Sequence, residues 1–353
     1  MYIAPNPRAE DDPWFAVRLA CMPIIGLLVG TVLMSPMLTI FPTILTSLMA
    51  GNRKAFNPGK VFGAPIALGG GLWVMSGIVA LTYQSPPLLI ATTGLFYFLG
   101  FLLIQKTGSP MGMLLIVCTA LTAVMGNGTY QAMQLLRDEM SKALLCYALV
   151  APILFMIFPP KTRDMQVDEY IPSPPEGLLI RTLNRSLVLL GVTVLLYTLI
   201  PFNNVVLIIG GMYVLVQSAV TEMAREAYRR VRAALSGGVL ALLILSAMEI
   251  SGHLSTLMFL IFLVVLALGH LMLYGPRRAI TYQDAATIMI SIVGTSLTSS
   301  DPDFAFIQRV GLTLAGVSAG MLLIVFLDNL FGVAVKDPAA PQAGSLFARL
   351  SQR

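Results

Sequence analysis

Phe158-Pro-Pro-Lys-Thr-Arg-Asp-Met-Gln-Val-Asp-Glu-Tyr-Ile-Pro-Ser-Pro-Pro-Glu-Gly177 is the only long polar stretch between the two ends of this chain. Six apolar runs precede it, near 17–33, 37–50, 61–81, 87–105, 110–126 and 140–158. Six more follow, near 182–200, 203–219, 231–249, 252–273, 282–297 and 308–331. A helix needs about 20 apolar residues to cross a hydrocarbon core, and several runs approach that length. The expected fold is therefore an all-α polytopic membrane protein of about twelve transmembrane helices. They fall into two six-helix repeats, 17–158 and 182–331, with a cytoplasmic segment 1–16, a cytoplasmic linker 159–181 and a cytoplasmic tail 332–353. The linker's five prolines predict an extended tether between the halves, with no ligand of its own.

Composition agrees with this class. Apolar residues make up 57% of the chain and charged residues 11%, against about 25% charged in an ordinary soluble domain. Cys21, Cys118 and Cys146 all lie in apolar runs with no CxxC pair, which argues against a disulfide framework and against a metal site. Gly59-Lys60 runs into Val61 without the upstream glycine of a phosphate loop. With two histidines and no nucleophile motif, the chain carries no constellation for catalysis, and neither an enzyme nor a cofactor is expected. No small-x-small cleavage site follows the first run, so it reads as a retained span and not as a signal peptide. Trp14 and Phe15 before it read as an interfacial aromatic anchor.

The basic residues orient the chain. With both ends in the cytoplasm, only Arg137, Lys142 and Arg309 of the 22 Lys and Arg fall outside. That bias predicts a multi-pass protein of the bacterial inner membrane with both termini inside. The net charge of +5 then reflects topology anchors that touch anionic lipid, and no nucleic-acid partner is implied.

The halves repeat a pattern. Lys60-Val61 matches Arg230-Val231 and Gly69-Gly70 matches Gly237-Gly238, at offsets near 168–170. Leu136-Arg137 matches Gln308-Arg309 at an offset of 172. Six spans per copy is an even number, so the repeats are parallel, related by an axis along the membrane normal, and a substrate pathway would lie between them.

Short or Gly/Pro-interrupted spans in matching places point to such a pathway, because freed backbone groups can bind a ligand there. The second span of each half fits, with Pro42, Thr43 and Thr46 in the first and Gly210, Gly211, Tyr213 and Gln217 in the second. The same small residues also suit close helix packing. Arg137 and Arg309, at equivalent outer positions, could draw out an organic anion through bidentate contacts, or could pair with neighbouring acids, Asp138 and Glu139 or Asp301 and Asp303. Candidates for proton coupling are Asp284, Asp328, Glu249, His253 and His270, all near predicted span ends where solvation is the alternative.

The short proline turn, the short second span, the basic inner loop and the glycine-rich runs Lys60–Gly71 and Arg230–Ala241 resemble the fusaric acid resistance and aromatic acid exporter family. So does the closing run Arg309–Gly320. The resemblance implies an inner-membrane exporter of small, anionic aromatic or amphipathic compounds, driven by protons and working with a periplasmic adaptor protein. It differs from larger family members in having no soluble domain after each half. The outer loops are too small to reach across a periplasm, which fits a separate adaptor. A passive organic-anion channel, akin to plant malate channels with a similar six-span unit, is a second reading. A non-transporting membrane scaffold is a third. Partners other than adaptor and substrate would be the lipid bilayer and further copies of this chain. Major-facilitator transporters also have six plus six spans, but the Asp of their second inner loop has no counterpart in Gly51–Lys60.

Overall fold

A computed structural model describes residues 2–3, 12–163, 169–170, 177–199, 220–298 and 311. Among them are ten helices of 11 residues or more: α1 (Phe15–Val32), α2 (Ile40–Ala50), α3 (Pro58–Thr82), α4 (Pro86–Thr107), α5 (Met111–Gly128), α6 (Tyr130–Ile157), α7 (Leu178–Leu199), α8 (Val220–Ser251), α9 (Leu254–Tyr274) and α10 (Ala279–Thr298). A two-residue antiparallel bridge, Tyr2–Ile3 against Glu169–Tyr170, ties the start of the chain to the linker.

Eight of these helices, all but α2 and α10, are long and apolar enough to cross a membrane, against the twelve spans expected. With 11 residues, α2 extends about 16 Å at 1.5 Å per residue, roughly half a hydrocarbon core. Its predicted first residues, Met37 to Thr39, belong instead to the turn that leaves α1. The 20 residues of α10 include Gln283, Asp284, Thr287 and Ser291, which make it too polar to count. The runs near 203–219 and 308–331 lie outside the described residues apart from Gly311, which is helical and exposed.

Several boundaries differ from expectation for identifiable reasons. The loop expected from Asn127 to Glu139 is mostly the first turns of α6, which opens where the Thr129 hydroxyl accepts the Ala132 N–H at 3.1 Å. Arg137, Asp138, Glu139 and Lys142 lower the local hydropathy, yet each finds a partner and the helix continues. The basic loop expected over Glu222–Arg232 is helical from Val220, supported where Glu226 pairs with Arg229 and Arg230 at i+3 and i+4. α7 begins at Leu178, one turn earlier than predicted, and buries Arg181 and Arg185. Phe15 is fully buried and is no interfacial anchor, while Trp14 stays half exposed with its ring 5.7 Å from that of Phe158.

Contacts at helix ends set the directions. Arg18 donates to the Phe158 carbonyl at 2.6 Å, so the start of α1 meets the end of α6. The Thr182 hydroxyl lies 3.3 Å from Gln105 Oε1, joining the start of α7 to the end of α4. Gln283 donates to the Ser47 carbonyl at 3.5 Å, joining the start of α10 to the end of α2. These ends carry Arg18, Arg53, Lys60, Lys106, Arg181, Arg185 and Arg229 and form one basic face. On the far face, Ser35 of the α1–α2 turn meets Glu139 of α6, and Tyr83 stacks on Tyr130 at 5.4 Å.

The main core joins both halves of the sequence. Leu19, Phe41, Leu45, Tyr147, Ile261, Val265, Met289 and Val293, from α1, α2, α6, α9 and α10, are buried in one cluster. Outward-facing residues are apolar too, as with Leu145, Leu149, Ile153 and Met156 along one stripe of α6. Backbone groups in such a belt must be satisfied within the helix. Thr and Ser hydroxyls follow suit: those of Thr46, Thr93, Thr119 and Thr193 donate to the carbonyl four residues back at 2.6–2.8 Å. The chain is an all-α, multi-pass membrane protein.

Candidate functional site

The short helix α2 lies between α1, α6 and α10 and so touches elements from both sides of the linker. Pro42 sits where α2 crosses α1: a Cβ built on Gly26 would lie 2.7 Å from the Pro42 Cα and N. Backbone cannot move aside as a side-chain tip can, so Gly26→Ala is expected to destabilise the protein by about 1–3 kcal/mol through overpacking, read as a lower midpoint of thermal unfolding in detergent. Thr43 and Thr46 turn their hydroxyls onto the carbonyls of Thr39 and Pro42, at 2.7 and 2.6 Å. On the other side of α2, Gly294 of α10 faces Thr39, whose Cγ2 lies 2.6 Å from the place a Cβ would take. α2 is thus a wedge with close backbone contacts on both flanks.

The far face holds the densest polar cluster near α2. The Arg137 guanidinium lies 4.0 Å from the centroid of the Trp73 ring and pairs with Asp138 at 2.8 Å. The Trp73 indole donates to Ser141 at 3.1 Å, which fixes the ring under the guanidinium. Of the two acids expected beside Arg137, Glu139 instead turns inward. It is 1% exposed, accepts the Ser35 hydroxyl on one oxygen and Lys142 Nζ on the other at 2.7 Å.

The coupling candidates are scattered. Asp284 receives Arg229 at 2.7 Å, and Arg229 also holds Glu226, making an ion network between α8 and α10 at the basic face. Glu249 is exposed at the far end of α8, and His253 is exposed in front of α9. His270 is exposed near the basic end of α9, its ring 4.4 Å from that of Tyr274. Gly210, Gly211, Tyr213, Gln217, Arg309 and Asp328 lie outside the described residues. Thus Pro42, Thr43 and Thr46 share one short helix, Arg137 stands on the far face, and Asp284 stands on the basic face.

Two clusters escaped sequence reading. The Arg18–Asp12 pair is fully buried at the start of α1, although Asp12 reads as part of a polar leader. Glu139 had one legible sign, a lysine three residues on, but its partner Ser35 stands 104 residues away in sequence. Among the described residues no three His, Cys, Asp or Glu side chains gather as metal ligands would. No model of a known protein family matches this chain, and neither does any curated protein or solved structure.

Proposed function

We propose that this protein is a transporter built from two parallel six-helix halves, exporting small anionic aromatic or amphipathic compounds across the bacterial inner membrane. In this reading both ends and the basic face are cytoplasmic, protons drive export, and a periplasmic adaptor receives the substrate at the far face.

The observation that carries it is a reciprocal exchange of helices. α1 packs on α9, and α7 packs on α4. Ala16 and Leu19 fill the space before Gly269, as Leu190 fills that before Gly94. A twofold axis along the membrane normal that takes α1 to α7 takes α4 to α9, so these two contacts are one contact made twice. The ends of matched helices, Val32 and Leu199, Thr82 and Ser251, Thr107 and Tyr274, Gly128 and Thr298, stand 167 to 170 residues apart. Arg18 and Arg185, 167 residues apart, are both buried at helix starts. α7 leaves on the far face and α8 starts on the basic face, as one further crossing between them requires.

The substrate class rests on Arg137 and Trp73. A guanidinium held flat against an indole offers charge and an aromatic surface together, which suits a carboxylate attached to a ring. Proteoliposomes of the purified protein, loaded with radiolabelled benzoate, are expected to release it faster under a proton gradient. Arg137→Ala is expected to slow release by about tenfold or more, the worth of a hydrogen bond to a charged group. Release that ignores the gradient would leave a channel in place of an exporter, and no release of benzoate or salicylate would end the transport reading.

A further inference from the structure

We propose that Glu139 is the protonatable group that couples proton binding to movement of α2. Its consequence for export rests on the transporter reading above, while the latch itself does not.

Glu139 lies nine residues into α6, about 14 Å from the far-face start of that helix. A carboxylate buried that far within a membrane protein is costly to keep charged, which makes it a group that takes up a proton when its partners change. Its partners here are few. Lys142 Nζ sits 2.7 Å away with half of its own surface exposed, so the pair runs from the interior to the outside. The second partner, the Ser35 hydroxyl, belongs to the α1–α2 turn.

No other ionisable group competes for this carboxylate. α2 has no acid, base or histidine, and α5 has only Cys118, whose Sγ faces the Leu68 carbonyl at 3.8 Å. Arg18 of α1 and Lys60 of α3 stand at the basic face, and Cys21 of α1 lies in the second turn of that helix. On α6 itself, Arg137 and Asp138 hold one another. Tyr147 and Cys146 lie two turns further on, with Tyr147 bonded to Asn52 at 2.6 Å.

The turn that Ser35 anchors is under strain. Met34 has φ of 49°, a left-handed conformation that costs a residue with a side chain of order 1 kcal/mol or more. The Ser35 oxygen also accepts the Met37 N–H at 3.2 Å, so one side chain organises the turn and hands it to Glu139. Directly after the turn comes α2, which touches α10 through Thr39 against Gly294 and through Ser47 against Gln283. Protonation of Glu139 removes its ion pair with Lys142 and replaces a charged acceptor for Ser35 with a neutral one. The strained turn then loses its strongest tie, and α2 is free to shift against α10.

The test uses the full chain in lipid nanodiscs, with Cys21, Cys118 and Cys146 changed to alanine and a nitroxide on Met34→Cys, a position 89% exposed. Electron paramagnetic resonance should show a label held still at pH 8 and mobile at pH 5. Glu139→Gln should leave it mobile at both, and so should Ser35→Ala, a small change that spares the carboxylate. A wild-type spectrum independent of pH, or a Glu139→Gln spectrum that follows pH as wild type does, overturns the latch. In benzoate proteoliposomes, Glu139→Gln should abolish the response to a proton gradient while Glu139→Asp keeps part of it. Gradient-driven release that survives Glu139→Gln overturns the coupling role. A label that responds as expected in a protein that moves no benzoate upholds the latch and removes only the transporter reading.

Discussion

Arg18→Ala is expected to lower stability by about 3–5 kcal/mol, the range for removing one member of a buried ion pair. Arg18 has no exposed surface, and Asp12 has 2%. One terminal nitrogen donates to Asp12, the other donates to the Phe158 carbonyl at 2.6 Å, and the guanidinium lies 4.1 Å from the centroid of the Phe155 ring. Alanine would strip Asp12 of its guanidinium, leave the last carbonyl of α6 short of a donor, and open a void against Phe155. Arg18→Lys restores the charge but cannot reach both oxygens in a plane, so an intermediate loss is expected. The Arg18 Nε is buried without a partner, which leaves the charge incompletely compensated. Replacing both members with apolar residues, Arg18→Met with Asp12→Leu, should therefore cost much less than Arg18→Ala. Thermal unfolding of the purified variants in detergent measures all three, and a loss below about 1 kcal/mol for Arg18→Ala would show that the pair is not closed to water.

Arg229→Ala comes next, with an expected loss of about 2–4 kcal/mol, below the fully buried case because Asp284 keeps 22% of its surface. Arg229 is the one residue that reaches both Glu226 on its own helix and Asp284 on α10. Glu226 retains Arg230 at 3.1 Å when Arg229 is removed, so the loss falls on Asp284. A double-mutant cycle with Asp284→Ala is expected to return a coupling of about 1–3 kcal/mol, the range for residues in one network. Because the network is mostly buried, raising the salt from 0.1 to 1 M should change that coupling little. A coupling near zero would make Asp284 a solvated boundary residue, as its place at the start of a span had allowed.

Where the fold was legible in the sequence, hydropathy and capping chemistry spoke together. Lys60 and the run after it lie in α3 because Asn57 accepts the Lys60 N–H and Pro58 stands at the first helical position, both local events. α6 and α8 were read too short because charged residues depress hydropathy, while helices tolerate charges whose partners sit three or four residues on or across a helix contact. Hydropathy also could not separate a spanning helix from α2, since an 11-residue wedge and a truncated span look alike until its neighbours are seen. Of the candidate residues, Pro42 was legible as a special position but not as a packing point against Gly26, which depends on where α1 crosses. Arg137 was legible as a charge against the usual bias. Its partner Trp73 was not, being 64 residues away on α3.

The sequence by itself determined that this chain lives in a membrane as helices, for the physical reason that its apolar residues could not be hidden from water in any other way. It also determined where most helices begin and end, because caps, prolines and apolar runs act over a few residues. Only the tertiary structure decided which charges are buried together, namely Arg18 with Asp12, Arg229 with Asp284, and Glu139 with Ser35 and Lys142. Such pairs form between helices, and the energy that selects them, the cost of an unpartnered charge away from water, depends on which helices meet.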